Sequence, residues 1–262
     1  MYQTLQYNVE EHIATITLNR PKAGNAIISG FGFQELGDAF DQADADVDVK
    51  VVILTGAGKN FCAGGDISDF RERIANKTYI TDVEVRTAGN AARSIRKCSK
   101  PTIAAINGAC AGAGLSIALA CDMRVMASNG ILSMAFIRMA LSGDTGGIYN
   151  LLRLTGLGKT MEYIMLGDNI SPQEAHQFGL VNRIVEPEQL EVATTELACR
   201  LVNGPSQAYT LQKQLVWNWL YADYPVFTEK EIEAFCLCCR TEDFNEAVEA
   251  FLTKRNPQFS GK

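Results

Sequence analysis

With 262 residues, 47% of them hydrophobic and 21% charged, the chain has the composition of an ordinary globular protein and the length for one large domain with a sizeable core. Its formal net charge of −6 speaks against a general nucleic-acid or anionic-membrane surface, since both need a basic face. No apolar run approaches a membrane span, and an anionic ligand would need local cations or backbone N–H groups.

The opening MYQTLQYNVEEH lacks the basic and apolar stretches of a signal peptide, and its acids disfavour a transit peptide. The ending SGK is not the peroxisomal tripeptide, so a cytoplasmic location is expected. LQYNVEEHIATITLNR (5–20) reads as two strands around an acidic turn, with His12 on the early strand and facing solvent. Phe33, Leu36 and Phe40 recur at helical spacing ahead of VVILTG (51–56), a continuous apolar run of the buried-strand kind. The same order returns as KPTIAAING followed by a helix, and again as DMRVMAS. Strand and helix alternate, which predicts an α/β fold with largely parallel strands. From about residue 187 strand signals cease, and LEVATTELACRLV, SQAYTLQKQLVWNWL, EKEIEAFCLCC and NEAVEAFLTK read as amphipathic helices. Two regions are expected: a core over 1–186 and a helical region over 187–262.

The eight cysteines (62, 98, 110, 121, 199, 236, 238 and 239) lie mostly in apolar runs, and FCLCC has no metal-ligand spacing. Free thiols in a reducing compartment are expected. With two histidines in the chain, no metal site is expected.

Two glycine-rich turns carry the chemistry. GKNFCAGGDI follows VVILTG, and NGACAGAGLSIALACD follows PTIAAI and leads straight into a helix. The spacing of Gly108, Gly112 and Gly114 does not fit a dinucleotide fingerprint, and no Gly-Lys-Ser/Thr marks a phosphate loop. Each turn alone suits close packing. Two together suit an oxyanion hole, in which N–H donors from separate loops meet at one oxygen.

The chain here resembles the crotonase (enoyl-CoA hydratase/isomerase) superfamily. Six ordered stretches carry the likeness: LNRPKAGNA (18–26), VVILTGAGKNFCAGGDI (51–67), KPTIAAINGACAGAGLSIALACD (100–122), LLRLTGLGKTMEYIMLG (151–167), SPQEAHQFGLVNRIV (171–185) and EAFLTKRNPQF (249–259). The resemblance implies a spiral of β-β-α turns, C-terminal helices that build a trimer or a dimer of trimers, and an acyl-CoA thioester as substrate. Coenzyme A would be part of that substrate, with no separate cofactor. The likeness puts the oxyanion-hole amides at Gly65 and Ala113. It puts coenzyme A contacts at Lys22, Ala23, Ala63, Asp66 and Ile67, and at Phe251 and Lys254, a pair that often reaches a neighbouring subunit's ligand.

Hydratases of the superfamily use two carboxylates, at positions held here by Ser116 and Phe136. Both acids are missing, so hydration by that route is not expected. Asp144, alone in LSGDTGG (141–147), matches an aspartate of the dienoyl-CoA isomerases and of the phenylacetate-pathway epoxide isomerase. It also matches the nucleophile of 4-chlorobenzoyl-CoA dehalogenase. As a plain residue it would cap the helix that starts near Gly146; within the resemblance it is a base with raised proton affinity. Neither His12 nor His176 lies where the dehalogenase keeps its histidine. Met134, Phe136 and Met139 fit either the core or an acyl pocket, and the course of DFRERIANKTYITDVEV, which would bound that pocket, is not set by pattern. Isomerisation is the expected reaction, with hydration or dehalogenase-like hydrolysis as alternatives. A non-catalytic RNA-binding or assembly role is the reading from another class, and the acidic balance counts against it.

Overall fold

The structure, a computed structural model, describes residues 2–262. A six-stranded sheet organises the first two thirds, built from β1 (Leu5–Glu10), β2 (Ile13–Leu18), β3 (Val51–Gly56), β4 (Thr102–Ile106), β6 (Met123–Ala127) and β8 (Arg183–Val185). Its order is β1-β2-β3-β4-β6-β8. β1 and β2 form an antiparallel hairpin, and every later neighbour is parallel, with Ile16 opposite Leu54, Val52 opposite Thr102 and Ile103 opposite Met123. A separate parallel pair joins β5 (Ala109–Ala111) to β7 (Ile131–Ser133). His12 belongs to the hairpin turn rather than to a strand, with φ of +68°.

The helices are α1 (Phe31–Ala45), α2 (Ile67–Ala75), α3 (Asp82–Lys97), α4 (Ala113–Ala120), α5 (Gly147–Leu166), α6 (Pro172–Gln177), α7 (Leu190–Val202), α8 (Ser206–Leu220), α9 (Tyr224–Cys238) and α10 (Glu242–Leu252). VVILTG is apolar throughout because both sheet faces are covered. Val52 and Leu54 join Leu36, Phe40, Ile95 and Leu115 in one core. Val51 and Ile53 join Leu190 and Leu197 of α7 in another. α7 is therefore a layer of the sheet.

Three elements position the site. α4 is buried at every residue, as its all-round apolar sequence requires, and its N-terminus emerges from the second glycine-rich turn. α9 packs on α3 and α5, and α10 packs on α2 and on the 3₁₀ turn Ala135–Met139. Phe70, Val85, Leu141, Phe235 and Phe244 form the cluster between these helices and the spiral. α8 buries none of its residues and leaves Leu211, Leu215 and Trp219 exposed. Five cysteines are buried and three half-buried, all as free thiols. Among the described residues no helix is long and apolar enough to cross a membrane.

Candidate active site

The two glycine-rich turns are stitched together by their backbones. Ala111 N–H donates to Cys62 O at 2.9 Å, while Phe61 and Cys62 N–H both reach Ala109 O at 3.1 Å. Small residues permit this approach. A Cβ on Gly64, whose φ is +103°, would lie 3.0 Å from Ala111 O and 3.7 Å from Ala113 N. A Cβ on Gly114 would run into Cys62 O. Close packing and donor placement are thus one device, because the contact that needs glycine also brings the turns' N–H groups side by side. Among the described residues neither the Gly65 nor the Ala113 N–H has an acceptor. Ala113 is the first residue of α4, where N–H groups lack an intrahelical partner and the helix end is partly positive.

Both amides open on a cavity of about 440 Å³, walled by Phe70, Val85, Phe136, Met139, Leu141 and Phe235. Ala23, Ala63, Asp66, Ile67, Phe251 and Asp144 also line it. Ten of the thirteen residues picked out from sequence therefore meet in one place. Lys22 and Lys254 do not line the cavity and are exposed beside lining residues. Met134 is the correction among the acyl-pocket candidates: it is buried in the main core beneath the turn. Phe251 and Leu252 belong to this chain's own cavity, because α10 folds back onto α2. A smaller concavity, about 240 Å³, lies between α8 and Arg96, Asp122 and Met123, with neither glycine turn among its walls.

Three acids line the cavity, and two are committed elsewhere. Asp66 pairs with Arg20 at 2.7 Å and caps α2 by accepting Ser68 N–H at 2.9 Å. Its side chain serves the loop rather than a ligand. Glu84 pairs with Arg73 at 2.6 Å and completes the capping box of α3 with Thr81. Asp144, 6% exposed, has a single side-chain partner among the described residues: Thr145 Oγ1 donates to its Oδ1 at 2.7 Å. Burial pushes this carboxyl up to about 6, against the pull of the Thr145 hydroxyl.

Asp144 does not cap α5. The cap position is Gly146, with no side-chain cap bond, and Asp144 contributes only its backbone oxygen, to Gly147 N–H at 3.0 Å. The acid at this helix start is Glu231, from α9, which accepts Gly146 N–H at 2.9 Å. Sequence reasoning missed it, although Glu231 falls on the buried stripe of α9 with Tyr224, Thr228, Ile232 and Phe235. An acid at that spacing was the available signal.

The positions that would carry hydratase acids behave differently from one another. Ser116 is fully buried, with its hydroxyl directed to Gly112 O at 3.3 Å and Asp144 O at 3.4 Å. Phe136 forms cavity wall, edge-on to Phe235 with centroids 6.5 Å apart. His12 and His176 are exposed and line no part of the cavity.

Fold and site together define a crotonase-type α/β protein. Over 99% of the chain, it superposes on all of an enoyl-CoA hydratase from Mycobacterium avium subsp. paratuberculosis K-10, with a TM-score of 0.90 and 25% identity. Residues 8–262 match the model for "Enoyl-CoA hydratase/isomerase", and the chain belongs to that family of enzymes. It is 36% identical to the short-chain-enoyl-CoA hydratase of Clostridium acetobutylicum over 94% of this chain and 93% of the relative. It is 33% identical to the 1,2-epoxyphenylacetyl-CoA isomerase of Escherichia coli over the full length of both.

Proposed function

We propose that this enzyme moves a double bond along an unsaturated acyl-CoA thioester. The thioester oxygen sits between the Gly65 and Ala113 N–H groups, which stabilise negative charge as it develops there. The C–H beside or conjugated to the carbonyl becomes acidic, Asp144 removes its proton, and the same carboxyl returns a proton to a carbon further along.

One observation carries this reading: of the carboxylates lining the cavity, Asp144 alone has neither a cation nor a backbone N–H as partner. Isomerisation needs one such group, because removal and return are sequential. Adding water needs two, one to activate it and one to manage the second proton. A carboxyl raised to about 6 is also nearer the proton affinity that general acid–base work at neutral pH requires. The likeness to an isomerase with a coenzyme A thioester in its name supports the same reading.

Ala23, Ala63, Ile67 and Phe251 supply apolar and backbone surface for the coenzyme A arm. Lys22 and Lys254, exposed and outside the ion pairs among the described residues, supply positive charge for its phosphates. Coenzyme A enters as part of the substrate. The exposed face of α8 suits assembly into a trimer or a dimer of trimers.

The deciding experiment is turnover of an acyl-CoA panel in deuterated water, read by mass spectrometry, with wild type beside Asp144→Asn. Double-bond migration with deuterium uptake in the wild type, lost in the variant, is the expected result. Migration at near wild-type rate in the variant rejects the assignment of the base.

A further inference from the structure

The chemistry above leaves one buried acid unused. Glu231, 6% exposed, reaches from α9 to the start of α5, 85 residues earlier in the chain. Its Oε2 accepts Gly146 N–H at 2.9 Å, and its Oε1 is buried without a partner among the described residues. α5 has no side-chain cap of its own, and Glu231 gives the N-cap N–H, from a distant helix, the acceptor that the acid of a capping box gives locally.

The turn it grips is an unusual one. Thr145 and Gly146 both have left-handed backbones, with φ of +59° and +69°. A β-branched residue is seldom found there, and such a conformation persists only where its surroundings enforce it. Glu231 on the N–H side and the Tyr224 ring packed against Gly146 are that enforcement, and the residue the turn aims is Asp144.

Two carboxyls thus share one buried region with no cation paired to either. The other titratable groups beside them are Tyr224 and Cys236 on α9 and Cys239 just past its end, all held in their neutral forms by burial. From α3, Arg93 and Arg96 act on Tyr224, and Arg96 is taken up by Leu119 O at 2.6 Å and Asn150 Oδ1 at 3.1 Å.

We propose that Glu231 is a positioning residue for Asp144: its carboxyl holds the Gly146 N–H and so fixes the turn that aims the base, and it is the second acid of the same buried region. The assignment of what is being positioned rests on Asp144 as the base; the pair itself does not. Burial, and then the charge of Asp144, push Glu231 up to about 8, so Asp144, at about 6, ionises first. Between those values Asp144 is the base and Glu231 a neutral acid. Above them, ionised Glu231 tightens the hold of Asp144 on a proton, which helps removal from substrate and slows return.

The test needs no substrate. Carbon NMR of the whole protein labelled at aspartate carboxyls, with the Asp144 signal assigned by its loss in Asp144→Asn, follows the titration in wild type and in Glu231→Gln. The wild-type signal should step near 6 and again, more weakly, near 8. In Glu231→Gln, whose amide oxygen still accepts Gly146 N–H, the first step should stay and the second vanish. In turnover, Glu231→Ala should lower kcat by roughly 10- to 100-fold with little change in KM, as expected for a misaimed base, and Glu231→Gln should lose the alkaline fall in kcat. A second step that persists in Glu231→Gln, or a Glu231→Ala variant with wild-type kcat, overturns the proposal. Should Asp144 not be the base, Asp144→Asn keeps its turnover while the titration still reports on the pair.

Discussion

Ser116 Oγ donates to the backbone oxygen of Asp144 at 3.4 Å, so the side chain at one of the two positions that would carry a hydratase acid is tied beneath the Asp144 turn. It does not face the cavity. Gly147 seals the arrangement from the other side, since a Cβ there would run into Ser116 Oγ. Installing the missing acid as Ser116→Glu should therefore bury an unpaired carboxyl at a site with no room for it, at a cost of roughly 3 kcal/mol or more. The expected result is a clearly lower denaturation midpoint and no hydrated product. A stable Ser116→Glu variant that adds water would reverse this account of the turn.

Asp144→Asn should separate activity from stability. The folded carboxyl titrates at about 6 against an ordinary 3.8, so the folded state binds its proton more tightly than the unfolded chain does. The sign follows from that: the acid costs nothing below 3.8, the burial penalty accumulates as pH rises from there to about 6, and above that it is complete at roughly 3 kcal/mol. The neutral amide escapes the penalty. Denaturant unfolding should show the variant more stable than wild type by about 1–3 kcal/mol at mildly alkaline pH, with the gain shrinking towards zero in acid, and turnover lost throughout. Equal stability across that range would mean the carboxyl is not held in a water-poor site.

Removing one of the two proposed oxyanion donors is cleanest at Ala113. Gly65→Pro would also put ring atoms against Phe70, whose Cζ lies 2.8 Å from a Cβ at that position. Ala113 is the first residue of α4, a position where proline is tolerated and where the lost N–H has no internal partner. Ala113→Pro should lower kcat about 10²- to 10³-fold while thermal unfolding stays near wild type. Full activity would remove Ala113 from the hole.

Assembly is expected to use α8. Trp219 is 82% exposed, and with Leu211 and Leu215, each four residues apart, it forms an exposed apolar stripe of the kind that favours association. Light scattering at micromolar concentration should give the mass of a trimer or hexamer, and Leu215→Glu combined with Trp219→Glu should lower it. A monodisperse wild-type monomer would end this expectation.

The sheet and the late helices were legible in sequence because their signals are local. VVILTG and PTIAAI are buried on both faces, and the segments Leu190–Val202 and Ser206–Leu220 coincide with α7 and α8. The strands β5 and β7, three residues each, were not legible, since runs that short carry no period, and β5 also lies inside a glycine-rich turn. The course of residues 69–85 was hidden for another reason. It is set by Arg73, which bridges Asp69 and Glu84 across the gap between α2 and α3, and such a pairing has no mark in a linear pattern. Asp144 was found through the resemblance; its burial and lone hydroxyl partner depend on the fold. Met134 and Phe136 are two apolar residues in one short segment, and only the turn between them sends one into the core and the other to the cavity wall.

Phe235 and Glu231 lie one helical turn apart on α9, the first against the cavity and the second on the turn that carries Asp144. Both side chains ride on one helix, so an acyl group that displaces Phe235 is expected to shift the Glu231 carboxyl with it, and with that the aim of Asp144. Across a series of acyl groups, chain size should therefore register in kcat as well as in KM, with the best-filled cavity giving the fastest proton return.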